Sequence, residues 1–129
     1  MRCHSSNKSF IPPIVDICFR RYTSNAAGAA SVSFSVTDFT LGGDYPVAGR
    51  VVVVHDSLGN RIGCGALQST AGEIVSLGSY PDYSGDYSSV VGTLLVENSG
   101  DYSRTRGIQI TGTLAGLEAS KSGGIHIHS

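Results

Sequence analysis

The run Gly124-Ile125-His126-Ile127-His128 sets two imidazoles two residues apart. On an extended strand, side chains alternate between faces, so both rings leave the same side with their Cα atoms ~6.5–7 Å apart. Two ring nitrogens at that separation can reach one metal ion, and imidazole is the commonest side-chain metal ligand. Ile125 and Ile127 would then face a core. Alternating histidines also occur on ordinary wet strand faces, so the spacing alone leaves a ligand pair and a polar surface both open. A further histidine, His55, ends the β-branched run Val51-Val52-Val53-Val54, and Arg61 follows after the turn Asp56-Ser57-Leu58-Gly59-Asn60.

These residues need strands to carry them, and the chain is built for strands. It holds 17 glycines and no tryptophan, with 8% aromatic and 15% charged residues. Val, Ser and Thr recur where helix formers would otherwise stand. Ser31–Thr37 alternates strictly, with Val32, Phe34 and Val36 on one face, and Leu41-Gly42-Gly43-Asp44 turns it. Val51–His55 and Arg61–Leu67 form a pair across a tight connection. Glu73–Leu77 gives a weak strand, Val90–Glu97 a clear one, Asn98-Ser99-Gly100-Asp101 a turn, and Ile108–Leu114 another alternating strand before the histidine pair. About seven short strands at regular spacing predict an all-β fold, a Greek-key sandwich or barrel.

The length of 129 residues suits one domain. Residues 1–21, with Pro12 and Pro13, show no alternation and are expected to be poorly ordered; residues 22–129 are the expected β-domain. Within it, residues 69–89 read as a connector whose Tyr80, Tyr83 and Tyr87 pack rather than float. The formal net charge of −1, with no basic cluster, excludes nucleic acid and an anionic membrane as expected partners. No apolar run approaches the roughly 20 residues of a membrane-spanning helix. Residues 1–20 lack the shape of a secretory signal, so they do not identify a compartment. Asn7-Lys8-Ser9 fits a glycosylation acceptor, a pattern common by chance. Three cysteines, Cys3, Cys18 and Cys64, leave at least one unpaired within the chain.

Two blocks of the sequence resemble the Cu/Zn superoxide dismutase family, in reversed order. In the first, residues 22–68, Thr23–Ser33 resembles the strand after the family's zinc loop, Gly49–Asp56 the late strand ending in a copper-ligand histidine, and Arg61-Ile62-Gly63-Cys64-Gly65 the closing strand. In the second, residues 90–129, Val91–Glu97 and Gly112–Leu117 resemble early strands, and Gly124–His128 the strand whose His-x-His binds copper. A family C-terminal half followed by an N-terminal half implies a fragment cut across a tandem array of dismutase-like repeats, a branch with copper-only members. A circular permutant joined through residues 69–89 is the alternative.

The resemblance implies the Greek-key dismutase fold, with copper held by His55, His126 and His128 and with Arg61 drawing in superoxide anion. The implied reaction converts superoxide to dioxygen and hydrogen peroxide; the competing expectation is a non-catalytic repeat module that holds copper or serves as structure, beside neighbouring repeats. It leans toward an extracellular or secreted setting. The family's long loop with the bridging histidine and zinc ligands has no counterpart, and His4 and Cys3 lack its surroundings, so zinc is not expected. Asp56 reads as a turn former. The family cysteine that would bridge to Cys64 is missing, so a free buried thiol, or a bond outside the chain, is expected there.

Overall fold

A computed structural model describes residues 17–37, 40–42, 46–69, 71–99 and 107–128, with the backbone alone for 17–19. His4, Cys3 and the Asn7 acceptor lie outside the described residues, as do Gly43 and Asp44 of the first expected turn and Gly100 and Asp101 of the later one.

Eight strands follow in chain order: β1 (Ile17–Thr23), β2 (Ala30–Thr37), β3 (Val51–His55), β4 (Arg61–Ala66), β5 (Glu73–Ser79), β6 (Val91–Ser99), β7 (Gly107–Ala115) and β8 (Ser122–His128). There is no helix among the described residues. The strands form one antiparallel sheet in the order β1-β8-β3-β4-β5-β6-β7-β2, curled until its two ends, β1 and β2, approach each other in a nearly closed barrel. β3 through β7 are successive neighbours, whereas β8 inserts between β1 and β3. Strands from the two sequence blocks therefore pair directly, β2 with β7 and β3 with β8.

Alternation produces this closure. In β2, Ala30, Val32 and Val36 are buried while Ser31, Ser33 and Ser35 are exposed, with Phe34 packed part-way against the core. Val52, Val54, Ile62, Val75, Leu94, Ile108, Ile110 and Ile125 complete the interior at 0–1% exposure. Burying each such side chain contributes about 1.5–3 kcal/mol. Tyr83 and Tyr87 also lean on this core, as expected of the connector.

One expectation fails at the N-terminal end. Residues 17–21, read as poorly ordered, begin β1 and pair with β8, Ile17 opposite Ile127 and Arg21 opposite Gly124. A register shift between Cys18 and Arg20 interrupts the two-residue period there, which removes the alternation that a sequence reading relies on.

Pairing is sparsest between β4 and β5, the corner where the two parts of the sheet join, which share only the pairs Gly63–Ser79 and Cys64–Gly78. Gly65 faces inward just beside this corner: a Cβ there would stand 2.5 Å from the Ser76 carbonyl oxygen, 2.7 Å from Val75 Cγ1 and 2.9 Å from Leu77 Cδ2. Gly65→Ala should therefore overpack the corner and cost ~1–3 kcal/mol, lowering the midpoint of urea unfolding. An unchanged midpoint would show that the corner has slack and that glycine is not required there.

Candidate metal centre

The site begins with the ladder between β3 and β8. Val51 stands opposite His128, Val52 opposite Ile127, Val53 opposite His126 and Val54 opposite Ile125. Directly paired residues share a face, so Val52, Val54, Ile125 and Ile127 point into the core and His126 and His128 point out. His55, two residues beyond Val53, emerges on the same outer face. Val53 and its other neighbour, Cys64 of β4, are buried as well, yet they lie outside the core cluster. An apolar residue thus flanks His126 on a face that would ordinarily be wet.

The three rings converge. Ring centroids are 4.3 Å apart for His55 and His126, 6.0 Å for His55 and His128, and 5.8 Å for His126 and His128, with the planes within 28° of one another. One nitrogen from each ring lies within 4.8 Å of the others, and all three residues are half-buried. Nitrogens bound to one ion at ~2.0–2.1 Å stand at most ~4.2 Å apart, so ring rotations of less than an ångström at the nitrogens close the cluster around an ion.

The turn after His55 sets its protonation pattern. His55 Nδ1 lies 2.9 Å from the Gly59 carbonyl oxygen. A carbonyl can only accept, so Nδ1 carries the hydrogen and Nε2 presents its lone pair. That Nε2 is buried and has no hydrogen-bond partner. A buried acceptor left in this condition costs roughly 1–3 kcal/mol, and a metal ion is a group that would satisfy it. The three residues could therefore hold a transition-metal ion, with a carbonyl fixing the tautomer of His55.

Asp56 forms the turn as expected. Its Oδ1 accepts from the backbone N–H of Leu58 and Asn60, and its Oδ2 accepts from the Asn60 side chain at 2.8 Å. These bonds bring the Gly59 carbonyl to the Nδ1 edge of His55. On the other side, the Tyr22 hydroxyl donates to the His55 carbonyl oxygen at 2.9 Å. Gly123 of β8 lies against this pair, where any Cβ would run into the His55 carbonyl and the Tyr22 ring. Tyr22, Gly59 and Gly123 were not legible as supports of the site. Only the doubled glycine Gly123-Gly124 beside the His-x-His run gave a local sign of close backbone approach.

Arg61 stands opposite His55 in the β3–β4 ladder, where β4 carries one extra residue, Ile62, between the pairs Val54–Gly63 and His55–Arg61. This bulge sends Ile62 into the core and leaves Arg61 exposed. The guanidinium does not join the rings. It lies 5.7 Å from the centre of the Tyr80 ring, and Nη1 donates to the Tyr80 hydroxyl at 3.3 Å. Cys64 is disulfide-bonded, its partner sulfur lying outside the described side chains, which corrects the expectation of a free buried thiol.

Burial, with the negative charges of Asp56 and Glu118 nearby, pushes the Tyr22 hydroxyl from 10.0 up to about 12. The folded chain thus prefers neutral Tyr22, and the stabilisation is complete below pH 10, then lost as the pH rises through about 12. Tyr22→Phe should cost about 1 kcal/mol at neutral pH and should remove this alkaline component; equal loss of stability between pH 10 and 12 in both proteins would contradict the assignment. No protein-family model matches the chain, and no curated protein matches it significantly.

Proposed function

We propose that the chain is a copper-binding domain of superoxide dismutase type, with its nearly closed sheet the permuted counterpart of that family's Greek-key sandwich. The convergence of His55, His126 and His128, with ligand nitrogens within 4.8 Å, carries the reading. Two stretches some 70 residues apart in sequence supply the three rings. A purely structural strand face has no need of that. The resemblance of Gly49–Asp56, Arg61–Gly65 and Gly124–His128 to the family's copper and arginine motifs supports the choice of metal; zinc has no part in the proposal.

His55, His126 and His128 would hold the ion, and when bound copper supplies a one-electron couple able to oxidise one superoxide and reduce another. The chain contributes geometry and charge. Gly59 keeps His55 in the tautomer with a free Nε2. Val53 limits water on one flank of His126. Arg61, at the mouth of the same hairpin, is the cation available to attract an anionic substrate. A second reading, a module that binds copper without turnover, is favoured by the seat of Arg61 on Tyr80 rather than beside the rings.

Titration with Cu(II) should give one equivalent bound with nitrogen hyperfine structure in the electron paramagnetic resonance spectrum; its absence rejects the three-histidine site. His126→Ala should weaken copper binding more than ~10-fold, the scale on which even the outer partners of metal ligands act, while His4→Ala should leave it unchanged. Equal effects would mean that the site is misassigned. A dismutase assay on the copper-loaded chain, freed of excess metal, separates enzyme from module: turnover above that of copper-loaded His126→Ala supports the enzyme, and none supports the module.

A further inference from the structure

Arg61 and Tyr80 form a contact that the metal centre does not use. β4 lies between β3, which carries His55, and β5, which leads directly into Tyr80. The backbone N–H of Tyr80 donates to the Ile62 carbonyl at 3.1 Å, so the ring is anchored at the bulge that precedes Gly63, on the β5 flank of β4. There it takes the guanidinium in two ways, through its hydroxyl at 3.3 Å and through its face at 5.7 Å. Arg61 is exposed and makes no ion pair among the described residues, so these two contacts define where its charge rests. His55, its partner across the ladder, lies on the opposite flank.

We propose that Tyr80 is a latch on Arg61, a positioning residue that holds the guanidinium away from the three-imidazole cluster and thereby sets how strongly the cluster draws an anion. This rests on the copper reading for its consequence at the metal and on the contacts above for the latch itself. An anion arriving at the cluster recruits Arg61 only by drawing it off the Tyr80 ring, and the contact it must break is weak enough to yield. A cation on an exposed aromatic face has a strength that translates to roughly two- to five-fold in an equilibrium. The latch is therefore a bias on where the guanidinium rests, one that a charged ligand at the cluster can overcome.

The test uses the full chain and azide as the anion. Copper loading is read first, by nitrogen hyperfine structure, and azide affinity is then followed by the absorbance of the Cu(II)-loaded protein. Tyr80→Ala should tighten azide roughly two- to five-fold, and Tyr80→Phe, which keeps the ring and loses the hydroxyl, should tighten it less. In an Arg61→Gln background, Tyr80→Ala should have no effect. Unchanged or weaker azide binding in Tyr80→Ala overturns the latch. A second readout needs no metal: nitrogen-15 relaxation at Arg61 Nε should report a restricted guanidinium in the wild type and a freer one in Tyr80→Ala, and equal mobility overturns the latch. If copper gives no nitrogen hyperfine structure, the metal reading fails on its own, and the relaxation measurement decides the latch without it.

Discussion

The register of β8 against β3 is the constraint on which the rest of the structure depends. It is set by apolar burial, Val52 with Ile127 and Val54 with Ile125, and not by anything the histidines do for one another. Because the side-chain period is two, a slip of one residue would drive His126 and His128 into the core and throw both isoleucines into water. The penalty for burying two imidazoles without partners, added to the loss of two isoleucines from the interior, makes that alternative inaccessible. The core therefore aims the rings before any ligand arrives. This separates the energy of folding from the chemistry of the site: the inward face holds the ladder, and the outward face is free to carry polar groups.

His55 needs a different device, because it stands one residue beyond the last pair of β3 with β8. Three contacts hold it. Asp56 ties the turn through its carboxylate, Gly59 receives the Nδ1 hydrogen, and Tyr22 donates to the backbone carbonyl. Gly123 allows β8 to lie close enough for this to happen. The same turn carries Arg61 at its far end, so one hairpin presents an imidazole and a cation, while the bulge at Ile62 lets the core keep its residue without pulling Arg61 inward. The buried, unpartnered Nε2 of His55 is the local cost of this arrangement, small beside the burial that secures the strands.

Much of the fold was legible because one face of most strands is buried and the other is wet. Ser31–Thr37, Val90–Glu97 and Ile108–Leu114 announce themselves by that contrast, while Val51–His55 and Arg61–Leu67, buried on both faces, are marked by the β-branched run and by the tight turn between them; the structure places strands on all five. β1 was hidden because the shift between Cys18 and Arg20 breaks its period. The pairing of His126 with His128 on one face follows from local spacing. Their meeting with His55 does not, since strand order across the sheet leaves no trace in neighbouring residues; only likeness to a known family suggested it. Gly59 acts through a backbone carbonyl, which has no side-chain signature, and Tyr80 lies in the stretch that the likeness did not cover. The disulfide at Cys64 was misread because a sequence carries counts of cysteines and not the distances between them.

The place of β8 in the sheet has a kinetic side. A nascent chain makes β1 and β3 long before the strand that parts them, so until β8 is synthesised and inserted, two open edges face a gap where its backbone will be. Two of the three rings travel with that late arrival. Were the cluster to take an ion, its capture would wait on the insertion of β8. An ion held there would bridge β3 and β8 and act as a rivet on a pairing of high sequence separation, raising the barrier to its escape and linking the lifetime of the closed sheet to metal supply.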